Sequence, residues 1–238
     1  MPFRHKMLLP LLLVTFCLTS GLSFAQQAQN RLTDSQLAMQ YYRQADYRKA
    51  SDIFGRLFQQ NPNETYYTYY LNCLLQLSDY DNAESLINSQ IKLDKTRPKY
   101  NVDLGHLQEL RGRTDKAKQV YAQAIKKMPA NINQVFQLAN AFIGSRLFEY
   151  AEQTYLEGRK ILKGTYDFHL ELAQVYYYQR NFGRMIEEYL DILKTSDVYL
   201  QQVQNNLQQA VYSDTDDSLT DLLTSKLLEY VREYPDDK

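Results

Sequence analysis

Small and apolar residues return along this chain at a fixed interval. Ala50, Ala83, Ala117, Ala151 and Met185 stand 33, 34, 34 and 34 residues apart. Four residues after each comes a large side chain: Phe54, Ile87, Tyr121, Tyr155 and Tyr189. Three residues before them stand Tyr47, Tyr80, Thr114, Phe148 and Phe182. A second series keeps the same step, as the pairs Leu37-Ala38, Tyr70-Leu71, Leu104-Gly105, Leu138-Ala139 and Leu172-Ala173. Polar turns separate the two series at Gln44-Ala45-Asp46-Tyr47, Ser78-Asp79-Tyr80, Arg111-Gly112-Arg113, Ser145-Arg146-Leu147 and Arg180-Asn181-Phe182. Each period closes on a break: Asn61-Pro62-Asn63, Asp94-Lys95, Met128-Pro129 and Lys163-Gly164. Proline cannot continue a helix, and Gly164 is expected to serve as a helix C-cap. The pattern predicts helices on both sides of every turn.

The clearest copy runs from Asn101 to Pro129, where Leu104, Gly105, Ala117, Tyr121, Ala124 and Pro129 sit at offsets 0, 1, 13, 17, 20 and 25. This spacing resembles the tetratricopeptide repeat (TPR) family, with Asn101 where that pattern has Trp and Gln108 where it has Tyr. The resemblance implies an all-α fold without a sheet, a right-handed α-solenoid of stacked antiparallel helix pairs. Its repeats would span about 31–63, 64–97, 98–131, 132–165 and 166–197. Small residues let paired helices approach, large ones fill the seam, and stability comes from stacking neighbours. The second repeat is degenerate, with Tyr70-Leu71 for the Leu-small pair, and looser or tilted packing is expected there.

Residues 198–238 are less regular and read as a sixth repeat or a capping pair. Leu200, Val203, Leu207 and Val211 form one helical stripe. After a loop at 213–217, Ser218 can cap a helix to about Glu233 with Leu219, Leu222, Leu223, Leu227 and Val231 as its stripe. Tyr234-Pro235-Asp236-Asp237 looks like a further inter-repeat break. No linker divides 31–238, which suggests one domain.

The first 25 residues differ from the rest. Arg4, His5 and Lys6 precede an apolar run from Met7 to Leu18, and Ser23-Phe24-Ala25 offers a cleavage site before Gln26. This is the layout of a cleaved secretory signal peptide, too short in its apolar run for a membrane span. Phe16 before Cys17 fits a lipid-attachment site poorly. Residues 26–30 are expected to be disordered. Export to the periplasm follows, and cleavage would take the net charge from −1 to −3 by removing Arg4 and Lys6. Cys73 then remains alone, on an apolar helical face beside Leu71, Leu74 and Leu75, as a buried, inert thiol.

Composition narrows the function. Twenty-one Tyr against no Trp, eight Gly and six Pro suit a helical chain whose rings pack while their hydroxyls face a wet groove. A net charge of −1 gives no field for nucleic acid or an anionic membrane. No enzyme motif is present: His106 and His169 lack metal-ligand spacing, and no nucleophile elbow or phosphate loop occurs. Asp214, Asp216, Asp217 and Asp221 lack the glycine and terminal glutamate of a calcium loop and are read as acid at a helix N-terminus. No cofactor and no metal is implied.

In the TPR family the ninth repeat position lies on the first helix and faces the concave side. Here it carries Met39, Asn72, His106, Asn140 and Gln174, the last four 34 residues apart. Amide and imidazole groups can donate to and accept from an extended peptide backbone. The flanking contacts expected are Tyr42, Arg43, Tyr69, Gln76, Asp103, Glu109, Phe136, Glu171, Tyr177 and Tyr178. In the Tyr-rich run, Tyr67, Tyr70, Leu71 and Leu74 are expected in the core, with Tyr66 and Tyr69 outward and Tyr69 an anchor together with Tyr42. The family's carboxylate clamp is not matched, with Ser35 and Asp103 at its Lys and Arg positions. The resemblance implies a non-catalytic protein-binding scaffold of the bacterial cell envelope, holding a peptide or partner helix. The alternatives are a self-associating solenoid, or the N-terminal part of a longer repeat, enzyme or sensor protein.

Overall fold

The computed structural model describes residues 33–214 and 218–233. The expected leader, residues 26–30, Asp216, Asp217 and the expected break at 234–237 lie outside the described residues, as does the side chain of Ser218. The described chain is helical, with α1 Asp34–Arg43, α2 Tyr47–Gln60, α3 Glu64–Gln76, α4 Tyr80–Leu93, α5 Lys99–Leu110 and α6 Thr114–Lys126. There follow α7 Ile132–Gly144, α8 Phe148–Leu162, α9 His169–Tyr178 and α10 Phe182–Thr195, then a 3-10 turn Asp197–Tyr199, α11 Leu200–Ser213 and α12 Ser218–Glu233. Packing divides it into two compact units, one through Ala83 and one from Glu84, so the division falls inside the degenerate second repeat. The first contains α1 to α3. In the second, α5 packs on α6 and α7, α6 on α8, and α8 on α9, the stacking of tetratricopeptide-type helix pairs.

The repeating residues Ala50, Ala83, Ala117, Ala151 and Met185 are all fully buried, with the larger Met at the last position, and so are or nearly are the large residues four positions later. Gly105 shows why the helices can come so close: a Cβ there would lie 2.0 Å from Tyr121 Cε1, so the ring occupies the space that a methyl would need. Gln108 is fully buried where the repeat pattern has Tyr. Its amide donates to Glu84 at 3.3 Å, while Arg111 pairs with the same carboxylate at 3.0 Å. Two repeats on, the Tyr176 hydroxyl and the Gln179 amide donate to Glu152 at 3.2 and 3.0 Å, and Arg184 adds a bond of 2.7 Å. The departure at Gln108 therefore keeps a hydrogen bond to the preceding helix, as a buried polar group requires.

The turns inside the pairs repeat as strictly as the helices. Ala45, Ser78, Gly112, Arg146 and Arg180 all have positive φ, between 56° and 73°. At each, the following N–H bonds the carbonyl five residues back, as in Asp46 to Tyr41, Arg113 to Gln108 and Asn181 to Tyr176. This closes the first helix of the pair by a Schellman motif and aims the chain back along it. Only one of the five is glycine, so four carry left-handed strain. At the break after α8 the left-handed turn begins at Lys163, with φ 52°, and Gly164 continues it, so the cap expected of Gly164 is shared.

Cys73 is fully buried, and burial pushes its thiol up to about 11. Asp214 accepts from Leu219 N at 2.7 Å, binding the first turn of α12 as acid at a helix N-terminus does. The far half of the α12 stripe is left uncovered: Leu227 and Val231 are exposed, as is Leu228 beside them.

Candidate functional site

In the first unit the expected groove residues turn largely inward. Tyr69 stacks on Phe54 with centroids 5.0 Å apart and meets Tyr42 edge-on at the same distance. Tyr66 also approaches Phe54, at 6.4 Å. The outward placement of Tyr66 and Tyr69 is thus corrected, because Phe54 on α2 covers the α3 edge that a single helical stripe leaves free. Tyr70, expected in the core, is only partly buried and lies over Gly55. Burial raises the Tyr42 phenol pKa, and the Asn72 side chain, hydrogen-bonded to it, works the other way. Met39 is partly buried against the same core, while Arg43 and Gln76 stay exposed.

In the second unit, α5 presents Asp103, His106 and Glu109. Asp103 is bound by Lys99 at 2.9 Å. His106 is half-exposed, its Nδ1 3.6 Å from Glu109. Burial first, and Glu109 after it, raise the Tyr121 phenol pKa. Asn140 on α7 is exposed. Phe136 is partly buried, and its ring packs edge-on against Phe168 and Tyr166 at 5.5 and 5.9 Å and against Tyr155 at 6.3 Å. The long break before α9 folds Tyr166 and Phe168 over it, which the repeat pattern does not foresee.

The remaining four expected residues come together. Glu171, Gln174, Tyr177 and Tyr178 of α9 line an open pocket of about 440 Å³ with Tyr189 of α10 and Gln202, Asn206 and Gln209 of α11. Gln174 Nε2 donates to the Tyr178 hydroxyl at 3.0 Å, and Tyr178 stacks on Phe148 at 5.2 Å. Glu171 accepts from the Tyr166 hydroxyl at 2.9 Å, while its other oxygen is enclosed without a hydrogen-bond partner. Burial, then that bond, raises the Tyr166 phenol pKa. Asn206 bonds the Tyr189 hydroxyl, whose pKa burial raises. The lining holds one carboxylate, no cation, and four side-chain amides able to donate and accept at once.

The three amides of α11 are absent from the sequence expectation, which reads only that helix's apolar stripe. A signal was available: counting 34 on from Gln174 reaches Gln208, one residue from the Gln209 that lines the pocket.

No protein-family model matches the sequence, and no curated protein does. Among solved structures the chain is similar to a TPR protein from Parabacteroides merdae, at 15% identity, 82% of this chain, 85% of that one and a TM-score of 0.34. It is also similar to the thermophilic TPR protein TTC0263 of Thermus thermophilus, at 15% identity, 74% and 96% coverage and a TM-score of 0.35. A third is the MamA protein, at 12% identity, 75% and 92% coverage and a TM-score of 0.33. Superposition at this level is too loose to place the helices, and the repeat architecture rests on the period, turns and pairings of this chain.

Proposed function

We propose that this protein is a non-catalytic interaction scaffold exported to the bacterial cell envelope, and that the α9–α11 pocket holds an extended peptide segment of its partner. The carrying observation is the convergence of Gln174 with Gln202, Asn206 and Gln209 beside Tyr177, Tyr178 and one carboxylate. Paired amides match the donors and acceptors of a peptide backbone, and tyrosines supply rigid contact area. Export rests on the leader pattern before Gln26. Among the described residues no helix is long and apolar enough to cross a membrane.

A photo-crosslinking residue at Gln174 or Gln209, expressed in the envelope, should give one discrete adduct that is missing when the probe stands at exposed Lys118 on α6. Equal adducts at all three positions would remove the pocket from the account. N-terminal sequencing of the periplasmic fraction should begin at Gln26, and an intact leader on cytoplasmic protein would refute export. Self-association is a second reading, favoured by the uncovered Leu227, Leu228 and Val231 of α12. It predicts a concentration-dependent mass in light scattering that Leu228→Glu abolishes.

A further inference from the structure

The same crevice between consecutive repeats takes three different forms along the second unit. In repeat five it holds an ion network: Arg159 grips Glu188 through two nitrogens, and His169 Nδ1 lies 2.7 Å from Glu188. One repeat earlier the three equivalent residues are Ile125, Thr154 and Val135, all buried. Two repeats earlier they are Ile91, Val120 and Asn101. There the crevice is open, as a pocket of about 750 Å³ that Asn101 and Val120 line. Asn101 stands where the repeat pattern has its largest ring, and its short side chain leaves the space empty.

The pocket has its own chemistry. Leu104, Ala124, Met128 and Leu138 give it an apolar floor. Asn101, Gln123, Asn133, Gln134 and Gln137 surround that floor with amides. Two cations, Lys95 and Lys127, stand among the lining residues, and no carboxylate does. Asp94, the carboxylate next in sequence, is held instead by Thr96 at 2.6 Å and Arg97 at 3.1 Å. The size falls within the range of about 300–1,000 Å³ usual for ligand sites.

We infer that this crevice is a second binding site, taking an extended acidic peptide segment: amides hold its backbone and the two lysines its carboxylates. Amides donate and accept in pairs as a peptide backbone demands. Unopposed ammonium groups select negative side chains and reject positive ones. The site shares no residue with the α9–α11 pocket, and it stands whether or not that pocket binds a partner.

The test is fluorescence anisotropy with the purified chain and a labelled decapeptide of serine and alanine carrying three glutamates, set against the same peptide with glutamines. The glutamate peptide should bind about tenfold tighter, with an advantage that shrinks as salt rises. Asn101→Tyr fills the crevice in a register where buried Tyr67 shows that an aromatic ring fits a repeat. It should lower that affinity about tenfold with unchanged circular dichroism. Lys95→Gln with Lys127→Gln alters two exposed side chains, keeps the fold, and should abolish the preference for glutamate. Equal binding of the two peptides, or undiminished binding by either variant, would overturn the site. So would binding of dodecanoate that Asn101→Tyr blocks while the glutamate peptide fails to bind.

Discussion

Repeats three and five are built on one pattern and use it in opposite ways. In repeat five the inter-repeat crevice is closed by Arg159, Glu188 and His169, and the amides gather on α9 and α11 around a carboxylate. In repeat three the crevice is left open at Asn101, and its rim carries lysines and no carboxylate. Both repeats keep a hydrogen bond from the first helix to the preceding one, through Tyr176 to Glu152 and through Gln108 to Glu84. Stacking thus tolerates a change of chemistry at a joint as long as its polar groups stay paired. A repeat can then spend one consensus position on a cavity.

Glu188→Ala should show the largest effect of those that break this contrast. It strands Arg159 in a largely buried site and should cost about 3 kcal/mol in urea unfolding. Val120→Ala, at the repeat-three equivalent, should cost well below that, because its crevice is already open. Gly105→Ala comes next: a methyl 2.0 Å from the Tyr121 ring must displace it, at about 2 kcal/mol. The matching change in repeat five, Ala173→Gly, should cost only about 1 kcal/mol, from lost helix propensity. A smaller effect of opposite sign is expected of Arg146→Gly at this turn in repeat four, which relieves a left-handed φ of 59° on an exposed residue and should stabilise by about 0.5–1 kcal/mol. Gly112→Ala, at the same turn of repeat three, should destabilise by a similar amount.

The smallest effect at neutral pH appears only in alkali. Burial, then the Glu152 charge, pushes the Tyr176 phenol up to about 12, from an ordinary 10.0. The folded state thus holds that proton more tightly than the unfolded state. The resulting stability is complete below pH 10, and is lost as pH rises from there to about 12. Gln108 does not titrate. Tyr176→Gln, which installs the repeat-three residue, should therefore flatten part of the fall in urea midpoint above pH 10, and an unchanged slope would count against the equivalence of the two joints.

Much of this fold was legible in the sequence. The ruler from Ala50 to Met185 identifies residues that are all buried, and every intra-pair turn falls where its polar residues lie. The left-handed turn geometry was hidden because Ala45, Ser78, Arg146 and Arg180 are not glycine. The packing of Tyr69 and Phe136, both partly buried, was hidden for another reason. A helix between two neighbours is covered on more than one stripe, and the covering residues, Phe54 and Phe168, belong to other elements. The candidate site was half legible: the period picks out Gln174, but the irregular entry to α11 shifts its partner from Gln208 to Gln209. Asn101 was visible only as a missing ring, and it takes the equivalent residues Val135 and His169 to show that the space is filled elsewhere.

The unfolding temperature of Asn101→Tyr tests most directly whether repeat three gives up packing for a cavity. Filling the crevice should stabilise by about 1 kcal/mol and raise the unfolding temperature by about 2–4 °C, together with loss of glutamate-peptide binding. A fall in unfolding temperature, with binding of that peptide retained, would contradict the account.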